Sequence, residues 1–175
     1  MTKPNRRYVF LNPLSMLLAG LILGIATRLF DIYFQNLGEI FSQMAIWILL
    51  GTLIAIYSPT KKAAMGNIFP FCMGMLATYY VTAAVTHGVY GWTFIIGWTV
   101  FALVSPIMAY FAWMTKEPGA FPKIIAAGIV AVSVMSSVLL FDRLRLYDFV
   151  IDGVLIYILF FKKVKRSQRR KERTE

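Results

Sequence analysis

Six apolar runs, each long enough to cross a bilayer as a helix, leave this chain few folds to choose from. A spanning helix needs about 20 apolar residues to cross roughly 30 Å of hydrocarbon. The runs cover about 14–34, 40–57, 67–87, 92–114, 121–140 and 143–161. They are too long for barrel strands and lack the period-two alternation that barrel strands carry. With 59% hydrophobic residues, only 15% charged and a mean hydropathy of +0.68, a soluble domain of this length has no core large enough to bury them. The expected fold is therefore an all-α integral membrane protein, a bundle of about six transmembrane helices. A single cysteine excludes a disulfide scaffold.

Local signals punctuate the runs. Asn12-Pro13 supplies an N-cap and a first-turn proline for the first helix, and Ser58-Pro59 stops the second. Asn67 reads as the N-cap of the third, which ends at His87-Gly88 with glycine in the left-handed C-cap conformation. Pro106 lies inside the fourth as an expected kink, and Phe121-Pro122 opens the fifth. Lys3, Arg6 and Arg7 ahead of an apolar run, with Gly24-Ile25-Ala26 inside it, also suit a cleaved signal peptide. The run continues through Leu29-Phe30 to Phe34, so it is read as a retained span.

Basic residues set the orientation. With the N-terminus inside, the inner segments hold Lys3, Arg6, Arg7, Lys61, Lys62, Lys116, Lys123 and eight more between Lys162 and Arg173, which is 15 of the 18. Arg28, Arg143 and Arg145 are left outside, alongside Asp31, Glu39, Asp142, Asp148 and Asp152, five of the eight acidic residues. An even number of spans with both termini cytoplasmic satisfies the positive-inside rule. The domain plan is a transmembrane unit over 1–161 and a basic cytoplasmic tail over 162–175. The tail accounts for most of the net charge of +10 and suits anionic lipid headgroups. It has no aromatic residue for base stacking, so no nucleic-acid partner is expected.

Charge inside hydrocarbon is costly and therefore informative. Counting up from Lys162, Asp152 lies roughly 15 Å into the membrane, Asp148 about 21 Å and Arg145 about 25 Å. With Asp142 they fall within a sector of roughly 120°, a stripe that must face protein or water. On the first helix, Arg28 and Asp31 lie about one turn apart at a similar height. An Arg28–Asp148 or Arg28–Asp152 pair is expected, since buried charges need partners. Tyr79 and Tyr80 are too deep on the third helix for an interfacial belt, so at least one hydroxyl should face the interior. Tyr90 and Trp92 suit such a belt, Trp98 lies just inside the fourth helix, and His87 reads as a solvated cap.

The candidate ligand-binding set is thus Arg28, Asp31, Tyr79, Tyr80, Arg145, Asp148 and Asp152. Two readings stay open for it. In one, these residues line an outward-facing cavity that binds or transports a polar solute. In the other, they are structural clamps in a non-catalytic partner such as an assembly, immunity or regulatory subunit. Gly20-xxx-Gly24 offers a close-packing face for a helix of this chain, a membrane partner or a second copy. No enzyme is expected: Cys72 and His87, the only thiol and imidazole, are separated by about 22 Å along one helix. No metal or cofactor motif is present. The expected location is the bacterial cell membrane.

In size, helix number and inside termini the chain resembles the substrate-capturing membrane subunits of energy-coupling-factor vitamin transporters. The likeness is one of architecture over the whole chain and rests on no sequence motif. It implies solute binding near the outer face and docking through small residues of an early helix.

Overall fold

A computed structural model describes residues 11–88, 91–141 and 145–164. Expectations that rest on Lys3, Arg6, Arg7, Tyr90, Asp142, Arg143 and the tail beyond Val164 lie outside the described residues. The described chain is helical: α1 (Pro13–Tyr33), α2 (Gln35–Phe41), α3 (Met44–Tyr57), α4 (Lys61–Val85), α5 (Trp92–Met114), α6 (Ala120–Phe141) and α7 (Leu146–Ile156), the last running into a π-helical turn, Tyr157–Phe161. Four helices, α1, α4, α5 and α6, are long and apolar enough to cross a membrane, and α2 with α3 makes a fifth if the bent pair is one span. Their outer faces match that reading. On α1, Leu14, Leu18, Ile22, Ile25, Leu29 and Ile32 are all exposed, an apolar stripe that suits lipid rather than water.

Several boundaries differ from the sequence expectation. The second run breaks at Ser42-Gln43, where α2 and α3 meet at 61°. The third helix starts six residues before Asn67, capped by the Thr60 hydroxyl on the Ala63 N–H at 3.0 Å. Lys61 and Lys62 are therefore helical, and Asn67 is a buried side chain that donates to Leu11 O at 3.2 Å and Ser58 Oγ at 3.0 Å. At the other end of α4 the left-handed residue is His87, at φ +51°, and the Gly88 N–H closes back on Ala83 O at 2.8 Å. Gly88 lies under the Arg28 guanidinium, the end of a flexible side chain, which a Cβ there would approach to 2.4 Å. The Asn12 cap is as expected, with the Asn12 side chain accepting from the Ser15 N–H at 2.9 Å. The last helix begins at Leu146, and its 11 helical residues with the five of the π turn span about 24 Å.

The closest contact in the fold is between α1 and α4. A Cβ on Gly20 would lie 2.2 Å from Phe71 O, one on Gly24 2.2 Å from Met75 O, and one on Gly74 2.9 Å from Leu17 O. Small residues let the two backbones touch, and Thr78 Oγ1 uses the proximity to donate to Leu21 O at 2.8 Å. Of the occupants expected for the Gly20–Gly24 face, a helix of the same chain is the one found: α4 packs against both glycines. The core forms two clusters. One joins Trp47 and Ala55 of α3 to α4 and α5, and the other joins Ala45, Ile48 and Leu49 of α3 to Ala126 of α6 and Ile151 and Leu155 of α7. The broken α2–α3 segment thus sits between the α1–α4–α5 unit and the α6–α7 pair.

Basic side chains gather at one end. Lys61 at the start of α4 pairs with Glu117 beyond α5 at 3.1 Å and lies over the rings of Tyr110 and Trp113. Lys116 donates to the carbonyls of Ile158, Leu159 and Lys162, which satisfies acceptors left open where the last helix ends.

Candidate functional site

At the opposite end, the break between α2 and α3 opens a cavity of about 400 Å³, within the size range of small-molecule sites. Six aromatic side chains line it: Phe41, Trp47, Tyr79, Tyr80, Phe94 and Trp98. Five of them meet edge to face in pairs, with Trp47 and Trp98 centroids 6.4 Å apart at 80°, Phe41 and Trp47 6.0 Å apart at 63°, and Tyr79 and Tyr80 5.4 Å apart at 84°. Phe94, one turn before Trp98 on α5, is 68% exposed and marks the open side. Breaking a helix at this depth frees backbone groups, a cost tolerated where the break lines a cavity. One of those groups is the Phe41 carbonyl, which takes the Trp47 indole N–H at 2.8 Å. The break and the ring that replaces its hydrogen bond are thus parts of one wall.

Behind the tyrosines stands a small polar network. The Tyr79 hydroxyl donates to Asp31 Oδ2 at 2.9 Å. Arg28 lies 4.0 Å from the same oxygen and donates through Nε to Thr86 Oγ1 at 3.1 Å. Gly38 of α2 presses against Asp31, where a Cβ would fall 2.8 Å from both Cα and Oδ1. Asp31 and Arg28 are mostly buried, with side chains 17% and 16% exposed. Of the sequence candidates, Tyr79 and Tyr80 line the cavity, while Asp31 and Arg28 support it from outside.

The charges of α7 form a separate network, and the expected Arg28–Asp148 and Arg28–Asp152 pairs do not form. Arg28 faces α4 and is satisfied there. Asp152, 6% exposed, accepts from the Ser133 hydroxyl of α6 at 2.6 Å. Asp148, fully buried, accepts the Arg145 backbone N–H at 2.8 Å and caps its own helix. The Arg145 guanidinium reaches Glu39 of α2 at 3.0 Å and also contacts the Tyr147 hydroxyl. The described members of the stripe, Asp152, Asp148 and Arg145, contact protein, and none of these three lines the cavity. No group of three metal-ligating side chains occurs among the described residues.

Sequence reasoning missed Thr27, Phe41, Ser42, Trp47 and Phe94 as lining residues. The signal was there in the polar pair Ser42-Gln43 inside an apolar run and in the i,i+4 spacing of Phe94 and Trp98.

A profile of one protein family matches residues 3–158, described as a family of unknown function, DUF6518. The chain belongs to DUF6518. The match takes in the cavity and both polar networks. Comparison with curated proteins and with solved structures finds no match.

Proposed function

We propose that this DUF6518 chain is an integral membrane protein that binds a small solute in the aromatic cavity and serves as the binding part of a transport process. The carrying observation is the cavity itself: about 400 Å³, ringed by six aromatic side chains, at the broken helix. Interrupted helices at membrane depth are a recurrent way to build a solute site. The lysines at the far end support an orientation with that end cytoplasmic, which turns the cavity outward. In this reading α7 and its π turn are the sixth span, both termini are cytoplasmic, the tail touches anionic headgroups, and the protein resides in the bacterial cell membrane. The α7 charges are structural: Asp152 clamps α7 to α6 and Arg145 clamps it to α2, while Asp148 caps its own helix. That part of the clamp reading is kept, and the solute reading is confined to the α1–α4–α5 side.

The test is a screen of the full chain in lipid nanodiscs against small solutes, followed by tryptophan emission and thermal shift. A binding solute should change emission saturably, and the change should be lost in Trp98→Leu. A saturable response that persists unchanged in Trp98→Leu and Phe94→Ala would place binding elsewhere.

A further inference from the structure

The cavity's lining is chemically one-sided, and this points to the class of solute. We propose that it takes a small organic cation, an alkylammonium, an inference that rests on the cavity being a solute site. Among the described residues no Lys, Arg, Asp or Glu lines it, so neither an anion nor a cation meets a formal counter-charge there and the rings decide. Aromatic rings attract a cation over their faces, and walls whose rings meet at steep angles, as Trp47 with Trp98 and Tyr79 with Tyr80 do, can offer such faces on several sides.

Two of the lining hydroxyls agree. The Thr27 hydroxyl, 3% exposed, donates to Leu23 O at 2.8 Å, and the Tyr79 hydroxyl donates to Asp31 at 2.9 Å. Each has one proton and has spent it, so each offers the cavity only acceptor lone pairs. The Trp47 N–H is spent in the same way on Phe41 O. Hydrogen-bonding Tyr79 to a carboxylate also makes its ring more electron-rich. Asp31 stands behind the wall with its carboxylate 2.9 Å from the Tyr79 hydroxyl, and Arg28, 4.0 Å from the same oxygen, directs its Nε–H to Thr86. Ser42, also in the lining, remains to bind a neutral polar group on the same molecule.

Matched probe pairs test this in the full chain in nanodiscs, read by tryptophan emission. Choline and benzyltrimethylammonium are each titrated beside the neutral carbon analogue in which tert-butyl replaces trimethylammonium. The shape is the same and only the charge differs. At least one cation should bind about tenfold or more tightly than its analogue, and the preference should vanish in Trp98→Leu but survive in Trp113→Phe at the other end. Equal binding of cation and analogue would overturn the cation assignment and leave the cavity as a solute site. Binding by neither, with no emission change that Trp98→Leu abolishes, would overturn the cation assignment and remove support for the site as well.

Discussion

Asp31 and Asp152 show how differently two carboxylates can be held in one helical bundle. Asp31 accepts a hydrogen bond from the Tyr79 hydroxyl and faces Arg28 at 4.0 Å within the α1–α4 unit, whereas Asp152 depends on the Ser133 hydroxyl of α6. Because the networks share no partner, their mutations should be independent. A cycle of Asp31→Asn and Tyr79→Phe, followed by unfolding in detergent, should give a coupling of about 0.6–1.7 kcal/mol, the range of hydrogen bonds between membrane helices. A cycle of Arg28→Gln and Asp152→Asn should be additive within about 0.5 kcal/mol. A large Arg28–Asp152 coupling would mean that the two charges meet after all. Position along the helix was legible from sequence for Asp31, because α1 is one uninterrupted helix, and less so for Asp152, because the count from Lys162 crosses the π turn Tyr157–Phe161. The partner was not, because helix order around the bundle decides whether Arg28 faces α7 or α4, and no local pattern encodes that.

At the level of elements, α1 and α4 are joined by close backbone approach, and the broken α2–α3 segment depends on side chains to complete its hydrogen bonds. Gly24→Ala should be severely destabilising, since its Cβ would meet Met75 O and Thr78 Oγ1 at 2.2 Å and backbone has little room to yield. Gly66→Ala on the same α4 meets nothing within 4 Å and should cost no stability, with a gain of up to about 1 kcal/mol from helix propensity. Thermal unfolding of the two variants checks the contrast; equal effects would contradict the α1–α4 packing. The existence of most helices followed from apolar length alone, and α5 was placed at its observed ends. The break at Ser42-Gln43 was hidden because the run around it stays apolar enough to read through. The true start of α4 was hidden because Lys61 and Lys62 look like loop residues, although Thr60 caps them into the helix.

For the whole molecule, the decisive property is polarity between its ends. One end gathers Lys61, Lys116 and Glu117 around the ends of α4, α5 and the last helix; the other holds the aromatic cavity, with Phe94 at its open side. The charge asymmetry of the loops was legible in the sequence, and it supports the cytoplasmic assignment of the lysine end. The cavity was only half legible, because its walls come from α1, the break, α3, α4 and α5 at once. The account stands on that cavity facing outward. The most direct measurement is labelling of Phe94→Cys, in a Cys72→Ala background that removes the chain's single native cysteine, with a membrane-impermeant thiol reagent on intact cells. The account predicts labelling from outside without permeabilisation, slowed when a binding solute is present. Labelling of Phe94→Cys only after the membrane is opened would contradict it.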